Sequence, residues 1–228
     1  MPARLPFADA HAAADALTFA GRTTRLGDGA VRLAGRNGVL AMTSAPLAPR
    51  GLLDTTPTIL GMRAVAVDPE LECDFVVEAD ALRRDPEDDR AILLPDTAVS
   101  PAWAGVAPPR SGWSEVGRVA ASVLAERAQW GIAAVAHAVP TDAGEDAVRA
   151  VRASIWGAPD DALGGLPRGV AFAAFALGFI AGEEEVPVRT SGPWTRLTLA
   201  RGHVLARGPA RVGLTDVRRT GPSADRTD

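Results

Sequence analysis

The chain has 228 residues, 47% hydrophobic and 23% charged, with a formal net charge of −4 and a single cysteine. All 24 basic residues are arginine and there is no tyrosine. P-loop phosphate binding, Schiff-base and pyridoxal chemistry, and tyrosine acid–base catalysis therefore lack their essential side chains.

The acidic balance argues against general binding to nucleic acid or to a membrane surface. Cys73 has no partner for an internal disulfide. Asp9, His11 and Asp15 interrupt the N-terminal stretch where a signal peptide needs its apolar run, and the most apolar stretch, 170–181, is too short to span a bilayer. These features predict a soluble, cytoplasmic protein.

In chain order, an alanine-rich helix is expected over 7–17. A hairpin follows over 29–44, where Val31, Leu33, Val39, Leu40 and Met42 flank Arg36-Asn37-Gly38 and Asn-Gly suits the positive φ angles of a tight turn. A loop holding Pro46, Pro49 and Pro57 leads to a buried strand at 58–67. Segments 72–78 and 90–94 can pair across the polar connection 83–89. From 113 to 138, apolar residues at three- and four-residue spacing (Val116, Val119, Val123, Leu124, Ala128, Val135) predict a helix.

Pro140 ends that helix. Asp142 and Glu145 have the spacing of a capping box, predicting a second helix to about Trp156 with a Glu145–Arg149 pair on its exposed side. A third helix over 167–182 is apolar nearly all round, as expected of a central helix buried on several sides or of a subunit interface. Strands are expected again at 186–190, 194–200 and 203–207, and a disordered tail over 218–228. Strands and helices are segregated. The expected fold is therefore α+β: one domain over 1–217, with an antiparallel sheet built from N-terminal and C-terminal strands. A central block of about three helices, 113–182, covers it.

Two loops are candidate sites. The connection 95–112 is long for a compact domain. It carries Trp103 and Arg110 and runs into Trp113, combining stacking surfaces with an arginine fork suited to a carboxylate or phosphate. The alternative is that the tryptophans anchor the loop to the core. The loop 45–58 carries Arg50, Asp54, Thr55 and Thr56, which could bind a ligand or satisfy their own backbone.

Between Asp68 and Asp89, ten acids face only Arg83 and Arg84. Asp68, Glu70, Glu72 and Asp74 alternate along the chain, which on an extended segment reads as a solvated strand face. No calcium loop closes around them. From Val186 onward the sign reverses, with eight arginines against three aspartates, a polarity that allows pairing within the chain or between copies.

His11 and Asp15 are spaced to share a metal, yet no recurring ligand pattern includes them, and no metal site is expected. Nucleophile-elbow and dinucleotide-binding patterns are absent, and Cys73 lies among acids that disfavour its thiolate. No catalytic residue and no cofactor is assigned.

The reading is of a non-catalytic binding or structural protein, able to hold a small anion on Arg110 or Arg50 against Trp103 or Trp113, and to self-associate. The alternative is a hydrolase or isomerase using Asp54 or the acidic strand with His137 or His203.

Overall fold

A computed structural model describes residues 3–51 and 53–208. A short strand, β1 (Arg4–Pro6), precedes helix α1 (Ala10–Thr23). Asp9 caps the helix, its carboxylate accepting the Ala12 amide N–H at 2.7 Å and so satisfying a donor that has no partner within the helix. The helix therefore starts after the expected position 7 and runs beyond 17, burying Ala13, Ala16, Phe19 and Ala20.

Strands β2 (Ala30–Arg36) and β3 (Val39–Leu47) form the expected hairpin. Asn37 at φ 51° and Gly38 at φ 76° supply the two positive angles of its turn, which match the natural twist of the flanking strands. Next come β4 (Thr58–Ala66), β5 (Cys73–Glu78), β6 (Arg83–Arg84), β7 (Ala91–Leu93) and β8 (Ser114–Ala120). The helical block comprises α2 (Ala121–Ala138), α3 (Glu145–Gly157) and α4 (Gly169–Ala176), with the two-residue strands β9 (Pro159–Asp160) and β10 (Leu166–Pro167) between α3 and α4. A closing meander follows: β11 (Glu185–Ser191), β12 (Trp194–Leu199) and β13 (Gly202–Arg207).

The fold is α+β. Eight strands form an antiparallel sheet in the order β5-β2-β3-β4-β13-β12-β11-β8. The seam is the β4–β13 pair, in register from Thr58–Arg207 to Met62–His203, so the C-terminal strands complete the N-terminal sheet as expected. Alternation along each strand separates two layers. Ile59, Val204 and Val31 join the main core with α1, α2 and α4. Leu60, Leu205 and Ala30 face the other side, beneath Trp103 and Trp194.

Several expectations are corrected. Segments 72–78 and 90–94 do not pair with each other: β5 takes the free edge of β2, and β7 lies between β1 and β6. The acid-rich connection turns the chain early, with Asp85 accepting the Glu87 amide N–H and Asp88 that of Arg90, which gives 83–93 its own reversal. The alternating acids consequently share no strand face, since β5 begins only at Cys73.

The first part of 113–138 is strand rather than helix. β8 pairs with β11, with a register shift opposite Val188 and Arg189. Val116 and Val119 satisfy a helical spacing, but Gly117 weakens a helix there and the two β-branched valines favour a strand once β11 offers a partner.

At α3, the N-cap is Gly144 with no side-chain bond, and Arg149 pairs with Asp146 at 2.6 Å rather than with Glu145. The apolar helix is shorter than 167–182. It ends where Gly178 turns left-handed at φ 70°, a common helix stop, and Pro167 belongs to β10. Gly169 to Ala174 are all buried, so this helix is a central core element. The tail 218–228 lies outside the described residues.

Asp160 ties α2 to the start of α4. Its Oδ2 accepts from Arg127 Nε at 2.9 Å, Arg127 Nη2 at 2.8 Å and Arg168 Nε at 3.0 Å, and its Oδ1 accepts the Ala162 amide N–H at 3.0 Å. Both guanidiniums lie over the Trp130 ring, 5.1 and 4.7 Å from its centroid, within cation–π range.

Candidate functional site

The loop after β3, the turn before β2, the 3₁₀ segment Ala102–Gly105 and the first turns of α3 enclose a groove of about 780 Å³. That volume falls within the range of small-molecule sites. Pro46, Pro49 and Pro101 stiffen two of its walls. Arg50 comes from the loop, Trp103 from the 3₁₀ segment, and Arg149 and Arg152 from α3.

Arg152 is the most constrained of these cations. It is half-buried, its guanidinium sits 5.7 Å from the centroid of the Phe172 ring, and Phe172 in turn stacks on Trp156 at 4.4 Å. Residues four apart on one helix face, Arg152 and Trp156, thus grip a side chain of α4. Burial lowers the Arg152 pKa from its ordinary value, although a guanidinium keeps its charge in proteins. Among the described residues it has no carboxylate partner and no hydrogen bond. Arg149 spends one nitrogen on Asp146.

Trp103 forms a wall, not a stacking platform. The residue is only 6% exposed, and its indole N–H donates to Asp28 Oδ2 at 2.8 Å. The other oxygen of Asp28 accepts the Ala30 amide N–H at 3.1 Å. Asp54 lies outside the groove lining but shapes it, because its carboxylate accepts the amide N–H groups of Arg50 and Thr56, each at 2.9 Å. The Thr56 side chain, with these amides, holds the Asp54 carboxyl below the usual range.

Arg110 and Trp113 are not part of this groove. Trp113 donates its N–H to the Pro109 carbonyl at 3.0 Å and is covered by the Arg196 guanidinium at 4.6 Å from the ring centroid. Arg110 is exposed, and its charge helps hold the Asp74 carboxyl low, after the larger contribution of the hydrogen-bonded Arg32. Two of the five candidate residues, Arg50 and Trp103, therefore meet in one cavity. Arg152 is not distinguished by the sequence, and Arg149 enters there only as an ion-pair partner of Glu145; their spacing on one helix face is the signal that joins them.

Histidines take no part. His203 is half-buried beside the Thr198 hydroxyl, 3.2 Å from Nδ1, and burial together with Arg196 and Arg189 lowers its pKa. No histidine is hydrogen-bonded or ion-paired to a carboxylate among the described residues, and no cluster of three metal-ligating side chains occurs among them.

Residues 1–105 match the model of a domain of unknown function (DUF8010), and residues 108–211 match that of a second domain of unknown function (DUF8185). None of the curated proteins is similar to the chain in sequence. Among solved structures, the chain is similar to the DnaN sliding clamp (DNA polymerase III subunit beta) of Bartonella birtlesii, with 14% identity and a TM-score of 0.48, over 97% of this chain and 68% of that one. The DNA polymerase III beta subunit of Thermotoga maritima gives 14% identity and a TM-score of 0.46 over the same shares. The DNA polymerase sliding clamp of Caulobacter crescentus gives 15% and 0.44, over 94% of this chain and 68% of that one.

Proposed function

We propose that the protein is a non-catalytic binding protein whose groove takes a small anionic ligand through Arg50, Arg149 and Arg152. The observation that carries this reading is Arg152: a half-buried cation lining the groove with no carboxylate partner among the described residues. Removing a charge from water is costly unless acceptors replace the water, and a carboxylate or phosphate fits the guanidinium fork. The groove adds two further arginines against the side chains of Asp28 and Glu145, and Asp28 is already engaged by Trp103. No helix among the described residues is long and apolar enough to cross a membrane.

Native mass spectrometry of the purified protein, followed by the same sample denatured, tests for a retained ligand. If nothing is retained, calorimetric titration with citrate replaces it as the probe. Arg152→Gln removes hydrogen bonds to a charged group, each worth about 1.5–3 kcal/mol, and should weaken binding roughly 10- to 100-fold. Wild-type affinity in Arg152→Gln would refute the reading.

A further inference from the structure

A second cavity, of about 310 Å³, lies on the helical side of the sheet between α1, the end of α4 and the β12–β13 turn. Three arginines from separate elements line it: Arg22 from α1, Arg63 from β4 and the exposed Arg201 from the turn. The acid among its lining residues is Asp15. His11, Asp15 and Arg22 recur along one face of α1, so the helix presents a polar stripe to the cavity.

Two of the arginines are held in place. Arg22 Nη1 donates to the Leu177 carbonyl at 2.8 Å, and it reaches that position because the neighbouring Gly178 has no side chain; a Cβ there would overlap the guanidinium. Arg63 donates from Nε to Asp15 Oδ2 at 2.7 Å, its Nη2 stands 2.7 Å from the same oxygen in an ion pair, and it also donates to the Arg201 carbonyl. The bond with Asp15 neutralises Arg63 and occupies the carboxylate a metal would need. The Arg201 guanidinium has no hydrogen bond or ion pair among the described residues. Two positive charges therefore remain unmatched in the cavity.

We infer that this cavity binds a compact dianion of the phosphate or phosphomonoester class, with Arg22 and Arg201 as its principal contacts. Charge sets the sign, since two uncompensated guanidiniums match a dianion. Geometry sets the class, because guanidiniums from different elements can address several oxygens of one tetrahedral group. Size sets the upper limit: a cavity near the bottom of the small-molecule range holds a phosphate with a short substituent. The site is separate from the groove that holds Arg152, and the two can be tested independently.

The test is a calorimetric titration with inorganic phosphate, ionic strength held constant with sodium chloride. The same titration is followed at the arginine Nε–Hε resonances of ¹⁵N-labelled protein. Saturable binding with shifts at Arg22, Arg63 and Arg201 is expected. Arg201→Gln should weaken binding, read at the Arg22 resonance, about tenfold or more without changing the melting temperature, because the Arg201 side chain holds no other partner among the described residues. Thr18→Glu, on the same face of α1, places a carboxylate among the arginines and should also weaken binding.

Non-saturating shifts spread over all arginines would overturn the inference, as would wild-type phosphate affinity in both Arg201→Gln and Thr18→Glu. So would binding of a DNA oligonucleotide that Arg201→Gln abolishes and phosphate does not compete away.

Discussion

The indole of Trp156 occupies the space a side chain on Gly131 would need. A Cβ at Gly131 would overlap Cζ3 and Cη2 of the ring and stand 3.1 Å from Cε3. Helices α2 and α3 approach this closely because position 131 carries no side chain, and the ring is pinned on its other side by Phe172. Gly131→Ala thus sets two effects against each other. Helix propensity favours alanine by about 0.5–1 kcal/mol, while overpacking against a ring that cannot swing away costs about 1–3 kcal/mol. The second should prevail. Urea unfolding should show a net loss of about 1–2 kcal/mol, and a variant as stable as wild type would contradict this packing.

Acid sensitivity should be traceable to Asp160. Burial opposes its charge, but hydrogen bonds from Arg127, Arg168 and the Ala162 amide outweigh burial and hold its carboxyl below the usual carboxylate range. A folded-state pKa below the unfolded value means the stabilisation is fully present above about pH 4 and lost as pH falls through the folded pKa. Asp160→Asn should cost on the order of 3 kcal/mol at pH 7, since two arginines lose their shared acceptor. The gap between variant and wild type should stay level from pH 5 to 8 and narrow below about pH 4. A gap that widens on acidification would show that Asp160 is not the group responsible.

The β2–β3 turn offers a local test. Gly38 sits at φ 76° beside Asn37 at φ 51°, an angle that penalises any Cβ. Gly38→Ala should lower stability by about 1 kcal/mol, visible as a lower urea midpoint with an unchanged slope. A changed slope would point to a broader rearrangement of the hairpin.

Trp103→Phe separates structure from binding. It removes the N–H that donates to Asp28, a bond to a charged acceptor worth about 1.5–3 kcal/mol. Stability should fall by roughly that amount, whereas citrate affinity should change by no more than about threefold, because the ring serves as a wall and the arginines hold the charge. Loss of affinity comparable to that of Arg152→Gln would make the indole a direct ligand contact.

Much of the sheet was readable from the chain. Asn37-Gly38 declared its hairpin through backbone sterics, and the closing meander appeared through runs of β-branched and apolar residues broken at Arg201-Gly202. The arginine–tryptophan chemistry of loops 45–58 and 95–112 points to Arg50 and Trp103, which line the same groove. Arg110 and Trp113 carry the same chemistry and lie elsewhere, because composition does not say on which part of a surface a loop will settle.

The sequence by itself determined the α+β class, the arginine-only cationic chemistry and the local turns, since each depends on residue type or on neighbours a few positions apart. Tertiary structure alone decided that Ser114–Ala120 is a strand rather than the first turns of α2, that β5 joins β2 rather than β7, and that α3 brings Arg152 to the loop of Arg50. Periodicity is a local property, whereas the choice of a strand's partner edge, and the convergence of cations on one cavity, depend on packing between segments far apart in the chain.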